Sequence, residues 1–317
     1  MEFTKIIIPT TPHPDVLVGI FLLKSFGEAK YPGIGGALVE ILQELPAGET
    51  ALSLESKGVL VLDLSGGTFD HHGKDAHLSK LIAQELGIET DLALAKLLSY
   101  TERDDKFGLG TISNDQLDKA FGLSGLIAAL NKTERDPNKV VSAVFPLLQA
   151  HYTEEKKRTI ELPAEFEKQL KEGRAEVFEV KHKGVPVKIA VLESDNVSMA
   201  GWLKSSIGIK ADMVCQRMSS GHTNIMTKQQ RNLDLGWLAA YVRNDEFQMQ
   251  EKDLAYSFEQ LKAPGRITEI PEWYYDTATN SLLNGGVNPK GVSPTLISLG
   301  RMKHIIKDSL SRTVQEN

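Results

Sequence analysis

The chain of 317 residues carries 36 Lys and Arg against 42 Asp and Glu, a formal net charge of -6, with 41% hydrophobic residues and one cysteine, Cys215. That balance excludes a protein that coats nucleic acid by charge alone, which needs a basic face, and leaves room for a small or short anionic substrate. A single cysteine excludes an intramolecular disulfide and a thiolate zinc site; with no signal-peptide pattern at the start and no apolar run near the ~20 residues of a membrane span, the expectation is a cytoplasmic protein without a membrane partner.

The length suits two domains. Residues 5–9 form a β-branched run, followed by the loop Thr10-Thr11-Pro12-His13-Pro14-Asp15 and an apolar-periodic stretch over 16–26, which reads as strand, loop, helix. Residues 58–64 are apolar on both faces, as expected of a central parallel strand covered by helices, and they too close on an acid, Asp63. Helical patterns follow at about 77–86, 91–102, 114–131 and 137–157, with breaks at Gly87, Gly108 and Gly110. The Glu/Lys-rich stretch 162–173 marks the passage from a first domain, 1–165, to a second, 175–317. The second half restarts as strands at 177–180 and 185–192 around Lys183-Gly184. A helix at 198–207, strands at 212–217 and 223–227, a helix at 233–243 and a basic helix at 294–309 complete it. The expected fold is α/β, a mostly parallel sheet flanked by helices, with a second, smaller α/β domain.

Open parallel sheets bind ligands beyond the carboxyl ends of their strands, where His13, Asp15 and Asp63 fall and where Asp70-His71-His72 also collects. Carboxylates and imidazoles without thiolates suit Mn²⁺ or Mg²⁺ better than structural zinc, one ion or two. Two divalent ions about 3.5–4 Å apart can bind a phosphoryl oxygen, generate hydroxide and stabilise the leaving oxygen. An Asp-His-His tripeptide is also compatible with a polar turn after a strand. Asp75 and His77, close to the triplet, read as solvent-facing or as supports for the ligands. Ser194-Asp195-Asn196-Val197-Ser198 is foremost a helix N-cap signature, and Lys228 and Arg231 either guide an anion or are solvated surface. Gly33-Ile34-Gly35-Gly36 lacks the Lys-Ser/Thr of a phosphate loop. Trp273-Tyr274-Tyr275 suits core packing or a subunit contact, leaving a homo-oligomer open, more than stacking on a base.

Leu62-Asp63-Leu64-Ser65-Gly66-Gly67 followed by Phe69-Asp70-His71-His72 resembles the DHH superfamily of phosphoesterases, and within it most resembles the melanocyte-proliferating-gene family of metal-dependent hydrolases. His13-Pro14-Asp15 resembles the first, His-x-Asp motif of that family. The resemblance covers about the first 110 residues, with a weaker echo beyond. It implies a manganese-type binuclear centre and hydrolysis of phosphodiester or phosphoanhydride bonds, including those of short RNA or DNA. On that resemblance Asp63 bridges the ions. His13, Asp15, Asp70, His71 and Asp104, just before a Gly-containing turn, coordinate them, and His72 coordinates or orients the leaving group. Ser219-Ser220-Gly221-His222 is similar to a reduced form of the Gly-Gly-His segment of the associated substrate domain, so Arg217, Gly221 and His222 are expected to hold a phosphate, although a tight β-turn explains the same letters. The chain departs from the wider superfamily at Thr11 and Leu17, where many members carry a His and a second Asp. Those departures keep open a non-catalytic nucleotide- or oligonucleotide-binding protein, and they disfavour a pyrophosphatase-like enzyme.

Overall fold

The computed structural model describes residues 1–64, 66–70, 76–108, 113–251, 256–285 and 291–311. The chain divides into two compact units, Met1–Lys157 and Arg158–Asn317.

In the first unit, β1 (Lys5–Ile8), α1 (Pro14–Phe26), β2 (Leu38–Ile41), α2 (Ala51–Glu55) and β3 (Val59–Val61) precede α3 (Leu78–Glu85), α4 (Ala95–Phe107), α5 (Gln116–Phe121), α6 (Leu123–Thr133) and α7 (Pro137–Lys156). The strands form a parallel sheet in the order β2-β1-β3, with Lys5 opposite both Leu38 and Val59. Side chains alternate across a strand. Ile6, Ile8, Leu60 and Leu62 therefore face a core shared with α1, α3 and α7, while Ile7 and Val61 face Ala51 and Leu54 of α2. Because α1 is buried nearly all round, from Pro14 to Leu23, it is the centre of this unit and holds the loop before it in place.

Two expectations change here. The central strand is β1, not 58–64; β3 lies at a side of the sheet, continued by a parallel bridge between Leu62 and Phe69. The helix read over 114–131 is two helices, parted at Gly122, whose extended backbone (ψ 155°) ends the α-helical run. The sequence reading also passed over β2. Only four residues long, it is defined by pairing with β1 and by Asn138, whose side chain bonds both Val39 N–H (2.7 Å) and Val39 C=O (2.9 Å).

The second unit contains α8 (Leu162–Lys171), β4 (Ala175–His182), β5 (Val185–Glu193), α9 (Met199–Lys204), β6 (Met213–Arg217), β7 (Thr223–Thr227), α10 (Gly236–Met249), α11 (Phe258–Leu261), β8 (Gly265–Ile267), β9 (Ile270–Asp276), β10 (Ser281–Leu283) and α12 (Leu299–Ser311). Its seven strands run β4-β5-β6-β7-β10-β9-β8, parallel only between β5 and β6. The expectation of a smaller second domain is corrected. This unit is as long as the first and holds the larger, mixed sheet, because β8 to β10 add antiparallel strands that short, interrupted apolar runs did not reveal. The charged helix α8 packs into this unit through Leu162 and Phe166. Lys183 and Gly184 both have positive φ (50° and 80°), which gives the two-residue loop that matches the twist of the β4–β5 hairpin.

Val187, Ile189 and Val191 of β5 and Met213 and Cys215 of β6 face a core with α10 and α12; Ala190, Leu192 and Val214 face α8 and α9. Trp273 is fully buried and Tyr275 nearly so, which places the aromatic cluster in this core rather than on a base-stacking surface; Tyr274 points to the other face, 39% exposed. Burial pushes the Cys215 thiol up to about 12. Iodoacetamide at pH 8 is accordingly expected to leave Cys215 unmodified in the native protein and to label it fully in denaturant; rapid labelling of the native state, read by mass spectrometry, would contradict this packing. Among the described residues, no helix is long and apolar enough to cross a membrane.

Candidate active site

His13 is the residue before α1, with Pro14 at the first helical position where its missing N–H costs nothing. The loop carrying it is tied to α6 by Asn131, which donates to the Pro12 carbonyl at 2.8 Å. Asp63 follows β3 with φ +58°, a left-handed conformation that few residues other than Gly, Asn and Asp adopt. Since β1 and β3 are parallel neighbours, both residues emerge beyond the same edge of the sheet, and His13 Nε2 lies 3.9 Å from Asp63 Oδ2. That separation is too long for a direct hydrogen bond and short enough for strong electrostatic attraction. Burial opposes protonation of His13, but the facing Asp63 carboxylate with the charges of Asp15 and Asp104 outweighs it, so its pKa is raised. The charges acting most strongly on this imidazole are all carboxylates.

Asp15 is fully buried, and its two oxygens accept the backbone N–H groups of Leu78 (2.8 Å) and Ser79 (3.0 Å). It thus caps the start of α3 from 63 residues away, where a negative charge meets the positive end of the helix dipole. Only the second lone pair of each oxygen remains for an ion. Asp104, 8% exposed on α4, accepts from the Ser124 hydroxyl. Ser124 in turn is bonded to Tyr100 through both its Oγ (2.7 Å) and its N–H (2.9 Å). With the Ser124 proton given to Asp104, the Tyr100 hydroxyl donates to Ser124 Oγ. Asp70 accepts from Gly66 N–H at 2.9 Å and so braces the turn after β3, while Glu55 holds Thr68 by its N–H (3.2 Å) and hydroxyl (2.7 Å). His71, His72 and Asp75 lie outside the described residues.

His77 is not solvent-facing: it is 4% exposed at the start of α3, and burial pushes its pKa down although Asp15, Glu102 and Asp105 pull the other way. The two departures are also explained in space. Thr11 is exposed, and Leu17 is 3% exposed within the apolar core, where a carboxylate would be costly. Among the described residues no three His, Cys, Asp or Glu side chains are grouped closely enough to share a metal ion. The donor chemistry nevertheless fits a hard divalent cation, with oxygen and imidazole only and a local surplus of carboxylates around His13.

In the second unit, Ser219-Ser220-Gly221 is a three-residue hairpin loop. Met218 N–H bonds His222 C=O (2.8 Å), Gly221 N–H bonds Met218 C=O (2.9 Å), and Gly221 takes the required φ of +86°. The polar groups here are engaged within the protein. His222, 7% exposed, uses Nδ1 with Ser220 Oγ and Nε2 with the Val292 carbonyl, each at 3.0 Å. Ser219 N–H goes to Asp195 (2.8 Å), so a carboxylate of the chain itself occupies the anion position of the turn. Arg217 gives one N–H to the Ile297 carbonyl (2.8 Å), lines a polar cleft of about 560 Å³ in which Lys168 and Arg174 stand with the acids Glu165, Glu193 and Asp195, and forms no ion pair among the described residues. Ser194 and Asn196 donate to Glu165 of α8 (2.6 and 3.2 Å), while Asn196 Oδ1 accepts the Ser198 N–H (3.2 Å) just before α9, so the helix-start reading of this segment rests on Asn196, and Ser198 itself makes no side-chain cap. Arg231 pairs with Asp212 at 2.8 Å.

No protein-family model matches the chain, and no curated protein matches it. The residues that the sequence reading missed, Glu55, Tyr100 and Ser124, carry no motif. Each acts through hydrogen bonds that span 13 to 24 residues, visible only once the chain is folded.

Proposed function

We propose that this chain is a metal-dependent hydrolase of phosphodiester bonds in short oligonucleotides or nucleotide-derived substrates, its first unit arranged as in the DHH phosphoesterases. The observation that carries the reading is the meeting of His13 and Asp63 beyond one sheet edge, with Asp63 in a left-handed conformation and carboxylates dominating the field at His13. His13, Asp63, Asp70 and Asp104 would hold Mn²⁺ or Mg²⁺, joined by His71, and such an ion supplies Lewis acidity and an activated water at a phosphoryl group. Asp15 fixes α3 against α1 and keeps the His13 loop in register with it. Ser124 orients the Asp104 carboxylate, and Asp70 and Glu55 brace the turn that leads to His71 and His72. In the second unit, Arg217 is the phosphate contact, with Gly221 and His222 shaping the turn beside it.

A non-catalytic nucleotide- or oligonucleotide-binding protein is the second reading, favoured by Leu17 standing buried where a further acid would be needed. Elemental analysis after Mn²⁺ loading and desalting separates the two. The hydrolase should retain metal and turn over bis(p-nitrophenyl) phosphate only when loaded; protein that keeps no metal and shows no turnover would establish the second reading over the first.

A further inference from the structure

A cleft of about 610 Å³ opens among α4, α6 and α7, on residues that include none of the candidate metal ligands. Its walls are mainly apolar, with Leu147 and Leu148 of α7 facing Tyr100 of α4, and its basic side chains are Lys96, Arg103 and His151, beside the hydroxyl of Ser99. Among the described residues no Asp or Glu lines it. Lys96 is answered by Glu155 at 2.8 Å, but Arg103 forms no ion pair among the described residues and lies 5.6 Å from the centroid of the Tyr100 ring. Arg103 Nε and His151 Nε2 are both shut off from solvent without a hydrogen-bond partner. Leaving such groups unpaired is costly, and a side-chain rotation that turns either toward an anion in the cleft recovers part of that cost. The Tyr100 hydroxyl is already spent on Ser124, so the tyrosine offers its ring and not its oxygen.

We propose that this cleft binds an organic carboxylate with an apolar body, its charge on Arg103 and His151 and its body between Tyr100 and the leucines of α7. The volume is that of a small-molecule site, and an uncompensated guanidinium in an apolar wall selects for charge and hydrophobicity together. Neither property suffices alone. The proposal does not depend on the hydrolase reading: the cleft contains none of the proposed metal ligands, and Tyr100 reaches them only through Ser124 and Asp104.

Titration calorimetry with 2-naphthoate, run in EDTA so that no divalent ion contributes, tests it on the full chain. Binding of 2-naphthoate is expected, with 2-naphthol and acetate each at least about tenfold weaker, since loss of one charge-assisted contact costs roughly ten- to a hundredfold. Arg103→Gln should weaken 2-naphthoate by the same factor while leaving 2-naphthol unchanged. Leu147→Asp, at a position 58% exposed and so harmless to folding, should weaken both. Asp63→Asn should bind as wild type does, which separates failure of this site from failure of the metal centre. Absence of 2-naphthoate binding, equal affinity for 2-naphthol, or indifference to both cleft substitutions would overturn the proposal.

Discussion

Asp63→Asn is expected to remove Mn²⁺-dependent phosphodiester turnover while leaving the protein folded. Asparagine adopts the left-handed conformation nearly as readily as aspartate, so the +58° φ at this position is preserved and the backbone cost of the substitution is small. What is lost is the negative charge that faces His13 at 3.9 Å. Changing a residue that merely orients a metal ligand costs about 10–100-fold, so removing the ligand shared by the site should cost more than about a hundredfold in kcat/KM. Three measurements belong together: turnover, retained manganese after desalting, and the rise in melting temperature that a bound ion produces. Turnover and the manganese-induced rise should both vanish, with the melting temperature of the metal-free protein kept to within a few degrees. A variant that retained near-wild-type activity would show that the strand-end cluster is not the catalytic centre. Asp63→Ala should add a stability loss of its own, because alanine lacks the local hydrogen bonding that eases the left-handed region.

Arg243→Met is expected to give the largest loss of stability in the second unit, about 3–5 kcal/mol. Arg243 and Glu246 lie one turn apart on α10 with no solvent exposure. The guanidinium donates to the carbonyls of Leu261 (2.6 Å), Ala263 (2.7 Å), Gly265 (2.6 Å) and Trp273 (3.4 Å), closing the end of α11 onto the β8–β9 strands. Burial lowers its pKa to about 10, which still leaves it charged at neutral pH. Glu246 accepts from Trp273 Nε1 (3.0 Å), Thr295 Oγ1 (2.5 Å) and Leu296 N–H (3.0 Å), so Trp273 is bonded to both residues. Methionine fills much of the arginine volume but leaves the buried Leu261 and Trp273 carbonyls and the part-buried Ala263 and Gly265 carbonyls without this donor, and each costs about 1–3 kcal/mol where water cannot reach it. Arg243→Lys should fall between the two, since one ammonium cannot span carbonyls arranged for a planar fork. All three tryptophans, Trp202, Trp237 and Trp273, lie in the second unit, so urea unfolding followed by tryptophan fluorescence reads this unit alone. A change below about 1 kcal/mol for Arg243→Met would refute the account of carbonyl satisfaction.

The sequence by itself determined those features whose causes are local. The β-branched run of β1, the continuous apolar face of α1, the turn chemistry of Lys183-Gly184 and the placement of His13 and Asp63 at strand ends are all written in neighbouring residues, and the α/β class follows from their alternation. Tertiary structure decided the rest, because the partners are far apart in the chain. Strand β2 exists through pairing with β1 and the clasp of Asn138 from 99 residues on, and the rank of β3 as a flanking strand depends on the order of assembly of the sheet. Asp15 reads as a metal ligand in a linear motif, yet in space it is bound first to α3, since the N–H groups at that helix start must find acceptors. His222 reads as a phosphate donor, yet both ring nitrogens are satisfied by Ser220 and Val292, a fact no spacing rule encodes. Arg243 and Glu246 look like ordinary polar positions of a helix; only their long-range carbonyl, indole and backbone partners make burial of these two charges tolerable.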